Sequence, residues 1–454
     1  MSSNLTAPTT AHSSRFPQMA PKIQVGLIGL GTVGTGVARV LVEKGRLLEE
    51  RIGARLVLRR VCDTDRRRAR GLRLPAGAWT AEALAVVRDP EIQIVVELIG
   101  GLEPARSLIL EALRRGKHVV TANKALLAAA GRELFQAAER ARSDLYFEAS
   151  VGGGIPIIKA LREGLIANEI DTLLGIVNGT SNYVLTQMGE KGLSYRAALQ
   201  EAQQHGYAER NAALDVDGHD AAHKLAILTL LGFGVPVRLA DMHVEGIRTI
   251  SQADIRYADE LGYRIKSLAI AKRVHRELEV RVHPTLLAKS HLLANVNGVY
   301  NAIYVHGDLV GAALFYGRGA GQNPAASSVV SDIADVARNL ARGISHRIPL
   351  NRHPRPGILR LRRMGDIEAR YYMRFRVTDQ PGVLGRIAGV LGRHRISIAS
   401  VHQKERAAAR IAPVVMMTHE ARETDVRAAL QAIDRMRFVK EPTVAIRTEA
   451  PRTP

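Results

Sequence analysis

The sequence predicts an α/β chain: a parallel, doubly wound sheet first, a mixed α+β segment next, and a small β-α-β-β-α-β unit after it. Three observations carry that prediction. Short apolar, β-branched runs alternate with helical patterns over residues 21–150, the order that gives parallel strands with helices on both faces. A G-x-G-x-x-G run, Gly29-Leu30-Gly31-Thr32-Val33-Gly34, joins the first strand to the first helix. Past residue 370 the order becomes strand, helix, strand, strand, helix, strand, a split βαβ arrangement.

The elements follow in chain order. KIQVGLIG reads as the first strand, and GTVGTGVARVLVEKGRLLEERI has the period of one long helix. ARLVLRRVCD, EIQIVVELIG, KHVVTAN and SDLYFEAS read as further strands, with PARSLILEALRRG and ALLAAAGRELFQAAERAR as helices between them. From residue 151 to 317 the texture changes, with VGGGIPIIKALREG and IDTLLGIVNGTSNYVLTQM opening a second domain. Residues 318–341 are expected to complete the first domain. Residues 342–370 are rich in Arg, Pro, His and Gly without a period and read as a linker. Residues 371–449 make a separate C-terminal domain. Such a linker is expected to let that domain move, so that truncation near residue 345 leaves an active core.

Composition bounds the function. With 454 residues, 46% hydrophobic and 24% charged, the chain has the make-up of a soluble globular protein. No run of eighteen apolar residues occurs, and residues 1–20 lack the apolar core of a secretory signal. A disordered leader, a cytoplasmic protein and no membrane partner are expected. Cys62 is the single cysteine, which excludes an internal disulfide and a cysteine zinc finger. The net charge of +20 invites a nucleic-acid reading, but aromatic residues are only 4% and the arginines fall in scattered runs. No nucleic-acid partner is expected, since backbone binding needs a clustered basic face; a general attraction for anionic ligands remains.

In the glycine run, Gly29 permits a tight turn, Gly31 lets backbone approach a pyrophosphate, and Gly34 lets helix pack on strand, with Thr32 and Val33 opening the helix. Its place between strand and helix is the context that marks dinucleotide binding. Asp63 ends the second strand, where an acid would meet the ribose hydroxyls of NAD. Arg66, Arg67 and Arg68 follow and suit the 2′-phosphate of NADP, so both cofactors stay open. Cys62 falls at the adenosine end of such a fold, away from where a thioester-forming thiolate would act.

The stretch LDVDGHDAAHKLAIL places Asp220 and Lys224 four residues apart, flanked by His219 and His223 at the same spacing. Three readings compete. A surface ion pair in this order stabilises a helix by about 0.2–0.5 kcal/mol. A zinc site would imitate H-E-x-x-H, but the acid is Asp and no third ligand is evident. A catalytic pair in an interior cleft fits the apolar run that follows, because isolated buried charge is costly unless paired or used.

The blocks GLGTVG, ELIGG, TANKALLA, FEASVGGGIPII, GIVNGTSNYVLTQM, GYAER, LDVDGHDAAHKLAIL and GRGAGQNPAASSVVSDI, in that order over residues 21–340, resemble the homoserine dehydrogenase family. DQPGVLGRIAGVLGRHRISIASVHQKE resembles the ACT regulatory domain of its longer members. One departure is ERNAALD, where the family has a form like EADPTLD; Glu209 and Asp215 remain but the proline is lost.

The resemblance implies a Rossmann-type dinucleotide-binding domain, an α+β substrate and dimerisation domain, and a ferredoxin-like ACT domain. It implies NADP- or NAD-dependent interconversion of L-aspartate 4-semialdehyde and L-homoserine by a homodimer or homotetramer. Lys224 takes the place of the acid/base lysine, and Lys124 lies beside cofactor and substrate. Glu209, Asp215, Asp220, Asn178, Gly179 and Thr180 match the substrate site. Gly29, Gly31, Thr32, Val33, Gly34, Asp63, Ile99, Gly100, Lys124, Gly206, Glu209 and Gly321 match the cofactor site. Glu148, Val151, Gly153 and Ile155 match a sodium or potassium site built largely from backbone oxygens, and Gly382 sits where an ACT domain binds an amino acid such as threonine. The competing reading is a non-catalytic, amino-acid-sensing Rossmann/ACT protein.

Overall fold

Strands Lys22–Ile28, Arg55–Cys62, Ile94–Glu97, His118–Thr121 and Leu145–Tyr146, with a short edge strand Trp79–Thr80, form a six-stranded sheet in which every pair is parallel. This is a computed structural model; it describes residues 20–69, 71–349, 359–403 and 411–449. Of the expected leader, residues 1–19 lie outside the described residues, as do 350–358 of the expected linker.

Val25, Leu27, Ile94, Val96 and Val120 are buried, as strands covered on both faces require. The long first helix instead divides into Thr32–Glu43 and Gly45–Ile52, with Gly45, a poor helix former, at the break. Helix Gln322–Ala341 returns to this sheet: Ala326, Val329 and Ile333 share one core with Val25, Leu27 and Val37.

The second region is built on strands Ile170–Ile176, Tyr263–Val274, Glu277–Ala288, Tyr300–Gly307 and Gly311–Arg318. Helix His219–Phe233 shares a core with Leu126 and Leu134 of helix Lys124–Ala141 on one side and with Leu173, Ala269 and Val280 of the sheet on the other. A helix covered on both sides has no need of a polar face, which explains the apolar run after Lys224.

The C-terminal unit has the strand order Val439–Glu449, Tyr371–Thr378, Ile411–Thr418, Ile398–Gln403, with helices Val383–Arg393 and Glu423–Asp434. That is the ferredoxin-like arrangement expected. Its separation by a mobile linker is not what the structure shows. Strand Val439–Glu449 pairs in parallel with Glu277–Ala288 through Thr285 with Arg447 and Leu287 with Glu449, so both regions share one eleven-stranded sheet. Within the expected linker, Arg360–Leu361 pairs with Glu277 and Leu278, and Glu368–Ala369 pairs with Ala421 and Arg422. The physical reason is charge as well as backbone: Arg447 forks onto both Glu423 and Glu245, Arg281 meets Glu279 and Glu449, and Arg374 grips Asp254.

Candidate active site

The glycine turn is built as the motif demands. Gly29 has φ 102°, and a Cβ there would come within 2.7 Å of the Leu98 carbonyl. A Cβ on Gly34 would lie 1.8 Å from the Gly29 oxygen, whereas one on Gly31 would meet nothing within 4 Å. Gly31 therefore faces open space at the start of helix Thr32–Glu43, where amide N–H groups favour an anion. Asp63 is turned inward: it accepts from the Leu30 N–H at 2.7 Å, the Asp65 N–H at 2.9 Å and Arg68 at 3.3 Å. Burial opposes its ionisation, but those donors hold its carboxyl below the usual carboxylate range. Arg67 pairs with Asp65, and Arg66 lies over the Trp79 ring at 5.3 Å. Cys62 is buried, and burial together with Asp63 pushes its thiol up to about 11.

A second turn faces the first. Glu97, fully buried, accepts from the N–H groups of Ile99 and Gly100 and from Thr121 Oγ1. Asn123 caps helix Lys124–Ala141 through the Leu126 N–H and donates to the Gly101 carbonyl at 2.7 Å. That cap aims Lys124 out of the helix start.

Lys124 then reaches across to the second region. Its Nζ lies 2.5 Å from Asp220 Oδ1, while Lys224 Nζ lies 2.7 Å from Asp220 Oδ2 and 2.6 Å from the Val177 carbonyl. Burial pulls the Lys224 ammonium below the ordinary lysine range; Asp220 opposes that shift and the Lys124 charge adds to it. Burial also opposes ionisation of Asp220, but Lys224 and Lys124 hold its carboxyl far below the usual range. Asn178 caps helix Gly179–Lys191 and donates to Asp215 at 2.7 Å and Asp220 at 2.9 Å. The Thr180 hydroxyl donates to the Tyr207 carbonyl at 2.7 Å, with Asp215 as a second, longer acceptor at 3.3 Å for the same proton. Gly179 is required because a Cβ would lie 2.9 Å from the Val299 carbonyl.

The structure thus brings Lys124, Lys224, Asp220, Asp215, Asn178, Gly179 and Thr180 together. It does not bring Glu209 into that network: Glu209 and Gly206 are exposed, and no described residue pairs with the Glu209 carboxylate. His219 is exposed and His223 half-buried, and among the described residues no group of three or more His, Cys, Asp or Glu is arranged to hold a metal ion. Gly321, φ 117°, precedes helix Gln322–Ala341, whose Gln322 donates to the Thr32 carbonyl at 3.0 Å.

The turn Val151–Ile155 abuts that loop, since a Cβ on Gly153 would lie 2.5 Å from the Gly319 oxygen. Glu148 spends its carboxylate on the N–H groups of Ile158 and Lys159, and burial pushes it up to about 7 against their pull. The Gly153 carbonyl accepts from Ser328, while Val151 is fully buried and its carbonyl accepts from no described residue. Gly382, φ 86°, stands exposed before helix Val383–Arg393.

Comparison with known proteins agrees with this geometry. Family models match for the NAD-binding domain of homoserine dehydrogenase over residues 29–148, homoserine dehydrogenase over 156–334 and the ACT domain over 371–438. A homoserine dehydrogenase of Pseudomonas aeruginosa is 44% identical, covering 94% of this chain and 99% of its own, and one of Neisseria gonorrhoeae is 42% identical with the same coverage. The chain belongs to the homoserine dehydrogenase family. The crystal structure of a homoserine dehydrogenase from Thiobacillus denitrificans superposes with a TM-score of 0.86 at 45% identity, covering 94% of this chain and 98% of that one. A hyperthermophilic archaeal homoserine dehydrogenase in complex with NADPH gives a TM-score of 0.60 at 26% identity over 69% of this chain and 97% of its own. The activity is therefore that of a homoserine dehydrogenase, an NAD(P)-dependent oxidoreductase, carrying an ACT domain.

Two residues of this candidate site were not singled out by sequence reasoning. Glu97 stood in the quoted block ELIGG, but its role as clamp shows only once Thr121 is beside it. Asn301 is 1% exposed, neither amide atom is hydrogen-bonded to a described residue, and a Cβ on Gly319 would come within 1.9 Å of its Nδ2. No local pattern announces it.

Proposed function

We propose that Lys224 donates the proton to the alkoxide formed from the aldehyde and takes it back in the oxidative direction, with Lys124 supplying a second positive charge to the same oxygen. Bound NAD(P)H supplies the hydride. The observation that carries the proposal is the bridge of Asp220 between two lysines. Lys224 uses two of its three N–H groups on Asp220 and Val177, leaving one for a ligand. Its lowered pKa suits a group that must both give and accept a proton.

Among the described residues, the Asp215 carboxylate has only neutral donors, Asn178 and, at longer range, Thr180. Its charge suits the α-ammonium of the substrate, with Glu209 joining from the loop that Thr180 ties down at Tyr207. Lys224→Met should lower kcat by about 10²–10⁴-fold while fluorescence titration still shows cofactor binding. Near-normal turnover would return Asp220 and Lys224 to a structural ion pair.

The remaining assignments rest on separate observations. The buried Val151 carbonyl, which accepts from no described residue, together with oxygens of Glu148, Gly153 and Ile155 in the same stretch, suits a sodium or potassium ion, which prefers oxygen donors; turnover with each salt tests it. Arg66 and Arg67 line an open pocket of about 620 Å³ with Trp79, a receptor for a 2′-phosphate, so both NADP and NAD should serve. Arg66→Ala should then lower kcat/KM for NADP alone, roughly tenfold. Leu309, Val310, Leu314 and Tyr316 are exposed at one sheet edge, an apolar face suited to a homodimer, which sedimentation tests. The Gly382 turn offers helix N-terminal amides to a carboxylate, and threonine is the proposed ligand; unchanged rates and no calorimetric heat at millimolar threonine would remove it.

A further inference from the structure

The acid given the substrate ammonium stands on little structure of its own. Asp215 belongs to helix Ala213–Val216, a single turn, too short to keep its shape without packing. Its backbone is fixed from outside: Ser181 donates to the Asp215 carbonyl at 2.9 Å, and the Ile247 N–H donates to the Val216 carbonyl at 2.8 Å. A Cβ on Gly246 would lie 2.4 Å from that Val216 oxygen and 2.6 Å from Asp217 Cα, so glycine is what lets the two segments lie this close. Arg248 forks onto the Asp217 carboxylate. The Glu245 carbonyl oxygen would be 3.3 Å from a Cβ on Gly218, at the start of the helix that carries Asp220 and Lys224.

Residues 245–251, which make these contacts, belong to no helix or strand. The ACT region clasps them at both ends. At one end Arg447 donates two hydrogen bonds to Glu245, at 2.9 and 3.0 Å. At the other, Arg374 donates to Asp254 at 2.6 and 3.1 Å and to Ser251 at 3.3 Å, and the Tyr372 hydroxyl donates to Asp254 at 3.1 Å. Ser251 and Asp254 form the capping box that starts helix Gln252–Glu260, so this clasp fixes where the segment ends. Between the clasps Ile247 and Ile250 are buried in one core with Val216 on the substrate side and with Tyr372, Val415 and Ile446 on the ACT side. An irregular segment anchored by one domain and pressed against a substrate acid has the layout of a support.

We propose that residues 245–251 are a positioning strap, held by Arg447 and Arg374, that sets the place of Asp215 and with it the affinity for the amino-acid substrate. The inference rests on the ammonium-binding role given to Asp215. Charge-assisted hydrogen bonds depend steeply on distance and angle, so a small displacement of the Asp215 turn is felt in substrate binding. The proton-transfer residues are held differently. Asp220 and Lys224 stand on a fifteen-residue helix packed on both sides, and Lys124 and the Val177 carbonyl hold them further. Loosening the strap therefore acts on KM for homoserine and spares kcat. Any rearrangement of the ACT strands that loosens either clasp reaches the substrate by the same route.

The test is steady-state kinetics of homoserine oxidation on the full-length chain. Glu245→Gln removes the charge at one clasp and leaves Arg447 its second partner, Glu423. Arg374→Met combined with Asp254→Leu removes the other clasp without leaving a buried charge unpaired. Each should raise KM for homoserine about two- to thirtyfold, with kcat and the cofactor affinity read by fluorescence titration unchanged. In an Asp215→Asn background, where the positioned charge is gone, Glu245→Gln should add little to KM. Wild-type KM in both clasp variants overturns the strap and leaves the role of Asp215 intact. Full additivity with Asp215→Asn overturns it as well, because the clasp would then act by another route. Parallel losses in kcat and cofactor affinity would mark a general loosening of the fold and overturn it too. If Asp215→Asn alone leaves KM unchanged, the ammonium reading of Asp215 fails and the strap fails with it.

Discussion

Two charge clusters in this molecule differ in make-up and in how completely their charges are matched, one of lysines and aspartates and the other mainly of arginines and glutamates. At the proposed substrate site two lysines share one carboxylate, Asp220, while a second carboxylate, Asp215, has only neutral donors among the described residues. Between the catalytic and ACT regions the accounts close. Arg447 lies between Glu423 and Glu245, Glu423 also receives Tyr371 and Arg427, and Arg281, Lys272 and Arg362 meet Glu449 and Glu279. A carboxylate with several bonded cations has no capacity left for a ligand. A cluster with one lysine N–H spare and one acid unmatched has complementary room for a zwitterion. What separates the proposed reactive cluster from the structural one is residual charge rather than burial.

The comparison can be broken most sharply at Asp220. Asp220→Asn should lower kcat by about 10²–10⁴-fold, because the buried Lys224 then loses the charge that keeps it protonated. The pH at which homoserine oxidation gains its base should fall accordingly, since Asp220 opposes the downward shift of Lys224. An unchanged pH profile would mean that Lys224 is not the titrating group.

Arg447→Met tests the other cluster. It strands Glu245 and Glu423 against each other, and breaking such a buried pair costs about 3–5 kcal/mol. The midpoint of thermal unfolding should drop while kcat at low temperature stays in the wild-type range. A kcat loss larger than the stability loss would show that the two clusters are not separable.

Asp215→Asn should raise KM for homoserine roughly ten- to a hundredfold with less effect on kcat, as expected for a group that binds the ammonium rather than the reacting carbon. Equal losses in kcat and kcat/KM would assign it to the chemistry instead.

Acid should find the structural cluster first. Burial pushes Glu423 up, but Arg447 and Tyr371 bring it down to about 2. A depressed carboxyl contributes stability above its unfolded pKa, and that contribution is lost as pH falls toward the folded value. His283, buried and held well below the ordinary histidine range mainly by desolvation, works in the same direction, because the unfolded chain takes up its proton first. Thermal midpoints should therefore decline below about pH 6.5 and steepen between about pH 4.5 and 2. A flat profile over that range would contradict the network.

What the sequence made legible follows the reach of its signals. The alternation of strands and helices, the glycine turn and the C-terminal βαββαβ order are local patterns, and the structure has all three. The i,i+4 pairing of Asp220 with Lys224 is also local. The arrival of Lys124 on the other Asp220 oxygen is not, because it depends on two regions meeting across an interface. Asp63 shows the same limit: its place at a strand end is local, whereas the bonds its carboxylate accepts from Leu30, Asp65 and Arg68 depend on a turn whose shape only the fold reveals. The mobile linker was the reading least supported. Arg360, Leu361 and the pairs Arg374–Asp254 and Arg447–Glu245 are matched by partners far away in sequence, so nothing near them announces a docked domain. Truncation near residue 345 is accordingly expected to expose an unpaired strand and strip Arg281 of Glu449, rather than leave an intact core.

The parallel ladder between Glu277–Ala288 and Val439–Glu449 also has a meaning in time. As the chain emerges from the ribosome, the first of these strands is made long before the second, with the whole ACT region still to come. Until then the stretch Thr285–Leu287 lacks its later partner and offers an open edge, and such long-range pairing forms slowly. Vectorial synthesis thus separates the two halves of this ladder in time, and an unpaired strand edge in that interval is a point at which misassembly can begin.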